Sequence, residues 1–143
     1  PLLFDLACED LQTVIDVNLV GPFRLTKAVA GPMALRGAGT VVFVSSDAAV
    51  SAYPGWGAYG VTKAAADHLA RSFAAELAEH GVRVFAVDPG EMDTEMHRAA
   101  IPDADPATLA RPERVAETVA RMIESPAEAP SGRRFEAASW SGS

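Results

Sequence analysis

The run Thr40-Val41-Val42-Phe43-Val44-Ser45 constrains the fold most. Its apolar residues do not alternate with polar ones, so neither face of a strand built from them suits water. This is the pattern of a parallel strand covered on both sides by helices. A second such run, Val82-Arg83-Val84-Phe85-Ala86-Val87, ends in the turn Asp88-Pro89-Gly90, and Arg133 to Ala138 makes a shorter last strand. An alanine-rich helical stretch from Ala58 to His80 separates the first two strands. A second helix begins at Pro112, a residue well suited to a first helical position, and stops before Pro126 and Pro130. Strand-helix-strand order repeated in this way predicts an α/β fold of parallel strands joined by right-handed crossovers. The first strand has only one obvious neighbour. A long bare apolar edge is something natural sheets avoid, so further chain is expected beside it.

Helical spacing also runs loosely from Leu11 to about Leu35, after an opening loop that leads to a helix start near Cys8-Glu9-Asp10. Gly21-Pro22 interrupts it. Proline has no N–H for the carbonyl four residues back, here that of Asn18, so a kink that leaves this carbonyl free to hold a water is predicted. Gly37-Ala38-Gly39 ends the helix, since glycine takes the left-handed conformation at low cost. In the stretch from Ala58 to His80, Val61, Ala65, Leu69, Phe73 and Leu77 recur every four residues and are expected to face the core. The alanines on the other faces would let a second helix approach closely. Residues 91–111 lack clear periodicity and are expected to form a flexible loop over a substrate. His97 in that loop is expected to be exposed, with contact to a substrate as the alternative, and His68 and His80 read as helix-surface residues without a metal-ligand pattern.

Tyr59 and Lys63 stand four apart where a loop rich in Pro and Gly enters the long helix. Residues so spaced share a helix face with Cβ atoms roughly 5–6 Å apart. A free phenol titrates near ~10 and is a poor acid or base at neutral pH. A positive charge about 4 Å away, at an effective dielectric of about 20, favours the phenolate by about 4 kcal/mol, which is what proton transfer to and from a substrate oxygen needs. Other polar groups keep this pair company. Ser46 lies at the tip of the first strand, thirteen residues before Tyr59; Asn18 lies upstream, and Thr94 follows the Pro89-Gly90 turn. Tyr53 and Trp56, in the intervening loop, either wall a pocket or simply pack that loop.

This set, in this order and spacing from about Glu9 to Gly132, closely resembles the short-chain dehydrogenase/reductase family. The resemblance implies the C-terminal part of a Rossmann-like doubly wound parallel sheet, here three strands with flanking helices. It implies a catalytic tetrad of Asn18, Ser46, Tyr59 and Lys63, with NAD or NADP held by Tyr59, Lys63, Pro89, Gly90, Met92 through its backbone, and Thr94. In the family the tetrad asparagine holds a water in a proton relay from a kinked helix, and the Asn18 and Tyr59 helices pack across a subunit interface, so a homodimer or homotetramer is implied. The family's Thr-Gly-x-x-x-Gly-x-Gly turn and its Asn-Asn-Ala-Gly stretch are not in this sequence, so the chain reads as one part of a longer protein, and the choice between NAD and NADP rests mostly on the other part. The function implied is interconversion of an alcohol with a ketone or aldehyde. Two alternatives stand beside it: a binding or dimerisation module that kept this half without catalysis, and a relative of the extended enzymes that epimerise or dehydrate sugar nucleotides.

With 143 residues the chain is one domain at most. A net charge of −7 argues against a nucleic-acid surface, and Cys8, the single cysteine, forms no internal disulfide. No apolar run approaches the ~20 residues that span a bilayer, and a cytoplasmic location is expected.

Overall fold

The computed structural model describes residues 1–142. Helix α1 (Cys8–Ile15) passes through a π-helical turn (Asp16–Val20) into α2 (Gly21–Arg36), and strand β1 (Gly39–Val44) follows. Then come the long helix α3 (Gly57–Leu77), β2 (Val82–Asp88), the short α4 (Glu95–Ala100), α5 (Pro112–Glu124) and β3 (Arg134–Glu136). The strands form one sheet in the order β1-β2-β3, all parallel; Gly39 pairs with Val82, and Ala86 with Arg134.

Helices cover both faces of this sheet, as the unbroken apolar runs require. Along β2, Val82, Val84 and Ala86 join Phe43 of β1 and Ala66, Ala70 and Ala74 of α3 in one core. The intervening Phe85 and Val87 turn to the other face, where Met122 of α5, Ala129 and Ala137 complete a second core. Arg83 shares that second face. It donates to the carbonyls of Met122 at 3.0 Å and Ala129 at 2.7 Å, and to that of Ile123, so a cation stands at the C-terminal end of α5, where the helix dipole favours positive charge, and ties that end to the chain at Ala129. Burial holds its pKa below the ordinary guanidinium value.

The expected core row of α3 is displaced by one residue. Thr62, Ala66, Ala70 and Ala74 are buried, while Val61 is 56% exposed. Small residues face the sheet because they let the helix axis come close to it. Leu69, Phe73 and Leu77 flank that row and reach the core only in part. The stretch from residue 91 to 111 holds more structure than its sequence suggests, with α4, a 3-10 turn at Pro106–Thr108 and a bridge between Met92 and Ala110. Among the described residues no helix is long and apolar enough to cross a membrane, and no group of three or more His, Cys, Asp or Glu is placed to hold a metal ion.

Candidate active site

The carboxyl ends of parallel strands are where open α/β sheets collect ligand-binding groups, and the groups singled out above lie there or on the helix beside them. Ser46 follows β1 and caps a 3-10 turn, Asp47–Ala49. The Ala48 N–H donates to its Oγ at 3.2 Å, and Oγ donates to Asp47 Oδ1 at 3.2 Å. Asp47 also accepts from the Tyr53 hydroxyl at 2.7 Å, and this carboxylate raises the phenol pKa of Tyr53, first by that hydrogen bond and then by its charge.

The turn presses on α3 at Gly60. A Cβ there would lie 2.8 Å from the Ala48 carbonyl oxygen, so the residue next to Tyr59 must be small for the Ser46 turn to dock. Lys63 reaches over the Tyr59 ring, with Nζ 5.6 Å from its centroid, and donates to the Val44 carbonyl at 3.0 Å. The Ser45 N–H bonds to Val87 of β2 at 2.7 Å, so strand alternation turns the Val44 carbonyl to the open edge of β1, where Lys63 takes it. Burial pulls the Lys63 pKa below its ordinary value, and the nearby Asp67 carboxylate opposes this.

Asn18 lies in the π turn, in which the Gly21 N–H reaches the Asp16 carbonyl. The predicted kink is thus realised as one wide turn, a distortion frequent at functional sites. Asn18 Nδ2 donates to Thr62 Oγ1 at 3.2 Å, and Thr62 Oγ1 donates to the Tyr59 carbonyl at 2.7 Å. Asn18 is thereby tied to the helix that carries Tyr59 and Lys63. Sequence reasoning passed over Thr62, although a hydroxyl between Tyr59 and Lys63 on a helix turned toward the sheet was a usable signal.

Just past β2, the Gly90 N–H folds back to Asp88 Oδ1 at 2.9 Å, and Gly90 takes φ 75° with open space where a Cβ would stand. Thr94 caps α4, its Oγ1 accepting from the His97 N–H at 3.1 Å; its own hydroxyl hydrogen remains available to donate. This donor set suits an amide, which both donates and accepts, and Lys63, with three N–H donors and one going to Val44, has others for hydroxyls of a ribose. The residues present therefore fit the nicotinamide end of a dinucleotide. His97 departs from expectation: its side chain is only 12% exposed and both ring nitrogens are buried without a hydrogen bond, with Glu91 3.9 Å away. The bridge that pins Met92 to Ala110 folds this segment inward.

Tyr53 and Trp56 both line a cleft of about 550 Å³ with Leu2, Leu3 and Val61. Trp56 also meets the Tyr59 ring edge-on at 5.9 Å.

Residues 3–105 match the family model described as short chain dehydrogenase. The chain is 38% identical over 135 residues to a 3-oxoacyl-[acyl-carrier-protein] reductase of Synechocystis sp., covering 90% of this chain and 54% of that protein. It is 44% identical over 96 residues to dehydrogenase/reductase SDR family member 4 of Bos taurus, covering 67% of this chain and 34% of that one. Among solved structures, a short chain dehydrogenase from Shigella flexneri 2A str. 301 complexed with NADP superposes with a TM-score of 0.83 at 27% identity, over 95% of this chain and 56% of that chain. The chain thus spans about a third to just over half the length of these relatives.

Proposed function

We propose, from the premise that this chain belongs to the short chain dehydrogenase family, that it carries the catalytic part of an oxidoreductase interconverting an alcohol and a ketone or aldehyde. The observation that carries the reading is the placement of Lys63 over the Tyr59 ring, on a helix face against which the Ser46 turn docks. A nicotinamide dinucleotide, NAD or NADP, supplies or accepts the hydride when bound. Lys63, Pro89, Gly90, the Met92 backbone and Thr94 are the residues that would hold its nicotinamide end, with Tyr59 beside them.

In the reductive direction Tyr59 gives its phenolic proton to the substrate oxygen as that oxygen gains charge. Ser46 orients the same oxygen by turning its hydroxyl hydrogen from Asp47 Oδ1, a long 3.2 Å bond, to the carbonyl. Lys63 sets its ammonium over the Tyr59 ring, 5.6 Å from the centroid, a positive charge on the side of the site where the proton is given up. Asn18 contributes a backbone carbonyl to which Pro22 has no N–H to give, an acceptor for a water that returns the proton to Tyr59. Tyr53 and Trp56 stand where a substrate's remaining bulk would lie.

A second copy of the chain is the partner this reading brings with it, through the Asn18 and Tyr59 helices. An apolar groove lined by Leu19, Val20, Phe23, Ala65 and Leu69 supports that placement.

The test is Tyr59→Phe in the complete protein that contains this chain. Turnover is expected to fall by about 10²–10⁴-fold, the usual worth of a positioned acid or base, with dinucleotide affinity kept. Near-normal turnover would remove Tyr59 from the chemistry.

A further inference from the structure

The groups used above come from three separate elements: Ser46 from the end of β1, Pro89 and Gly90 from the end of β2, Tyr59 and Lys63 from α3. One side chain reaches all three. Arg134 of β3 donates through Nη2 to the Ser46 carbonyl at 3.0 Å and to Asp88 Oδ2 at 3.2 Å, and through Nε to Asp67 Oδ2 at 3.0 Å. The other oxygen of Asp88 accepts the Gly90 N–H, and Asp67 stands one turn beyond Lys63 on α3. The Arg134 side chain is 18% exposed, that of Asp67 6% and that of Asp88 10%.

Stability is a poor reason to keep such an arrangement. Desolvating charges costs enough that apolar residues of similar volume often serve a core as well or better. Positional control is a better one. A guanidinium offers five N–H donors in a rigid planar fork, and a lysine ammonium cannot reproduce that geometry. Here the fork is spread over the three elements whose relative placement decides whether the Ser46 hydroxyl, the Gly90 turn and the α3 pair meet at one substrate oxygen.

We infer that Arg134 is a positioning residue for the reaction, holding the Ser46 and Gly90 turns in register with each other and with α3. This rests on the oxidoreductase reading. Arg134 touches none of the reacting atoms; it acts through the Ser46 carbonyl and through Asp88.

The test is a double-mutant cycle between Arg134→Lys and Ser46→Ala in the complete protein, read as kcat at saturating dinucleotide. Arg134→Lys keeps the charge and most of the bulk. It is expected to lower kcat about tenfold or more when Ser46 is present and less than about twofold when it is already alanine, the non-additivity of groups acting as one unit. The same fold-loss in both backgrounds, or no loss in either, overturns the inference and leaves Arg134 a structural cation. If Arg134→Lys does not fold, Asp88→Asn, which weakens the β2 branch at constant shape, enters the same cycle with the same two outcomes. Failure here is separable from failure of the function: a complete protein that shows no dinucleotide-dependent turnover of any alcohol or carbonyl compound ends the oxidoreductase reading, whereas a protein that turns over and shows an additive Arg134 cycle ends only this one.

Discussion

At the residue scale, the site depends on an absence of atoms as much as on its polar groups. Gly60 touches the backbone of Ala48 rather than the end of a flexible side chain, so a methyl group there has nothing soft to displace. Gly60→Ala is expected to cost roughly 1–3 kcal/mol, as overpacked sites do, and to push the Ser46 turn away from Tyr59. Turnover should fall by more than the loss of folded protein accounts for, which a urea melt and a kcat measured on the same preparation would show. Lys63 gives a second prediction. Burial lowers its pKa in the folded chain from the ordinary 10.5, so the unfolded chain binds that proton more tightly between the lowered value and 10.5. Unfolding takes up a proton in that window, and stability contributed at this site rises with pH through it. Compared with Lys63→Met, the unmodified protein should therefore gain relative stability as pH approaches 10.5; a difference that stays flat through the alkaline range would contradict the burial. Sequence reading paired Tyr59 with Lys63 by their helical spacing and named Ser46 and Asn18 through the family resemblance. It missed Arg134, Asp67 and Asp88 because their meeting spans 67 and 46 residues of chain and no local periodicity encodes it.

At the element scale, the helix that carries the site shows where pattern reading succeeds and where it errs. Its existence and extent were legible in the run of alanines, and its end in Gly81. Its rotation was not, because a rule that sends large apolar residues to the core takes no account of how closely α3 lies on the sheet. Thr62 and the row Ala66, Ala70, Ala74 won the inner face. The ends of the elements were the most legible feature of all. Gly37 and Gly81 both take left-handed conformations, with φ of 70° and 71°, after the helices that precede β1 and β2. They also touch: a Cβ on Gly81 would lie 2.1 Å from the Gly37 carbonyl oxygen. Left-handed strain and the clash add, so Gly81→Ala is expected to cost roughly 2–5 kcal/mol, seen as a large drop in the urea midpoint. Gly55→Ala, at φ 85° but with open space around it, should cost only the left-handed term, roughly 1–3 kcal/mol. Equal losses at the two positions would refute the contact between the helix ends.

At the scale of the whole molecule, the sheet is covered unevenly, and the unevenness follows from its order. β2 lies in the middle and is buried along nearly all its length, but β1 has β2 on one side only. Val44, apolar as a central-strand residue should be, is 57% exposed. A neighbouring groove holds Val41, Val42, Leu25, Val29 and Met33 as well. The relatives this chain matches are longer than it is, and the expectation of further chain beside β1 came from the same feature, an apolar strand that no second neighbour protects. An open, flat, apolar edge is a template for pairing with another chain. The 143-residue chain studied by itself should therefore self-associate as its concentration rises, and light scattering over a dilution series would detect this. A charge on the edge is the usual protection. Val44→Lys should therefore shift the series toward monomer while leaving the melting temperature nearly unchanged, since Val44 contributes little to either core. If the variant associates as the parent does, the contact lies elsewhere, and the groove between the Asn18 and Tyr59 helices is then the surface to alter next.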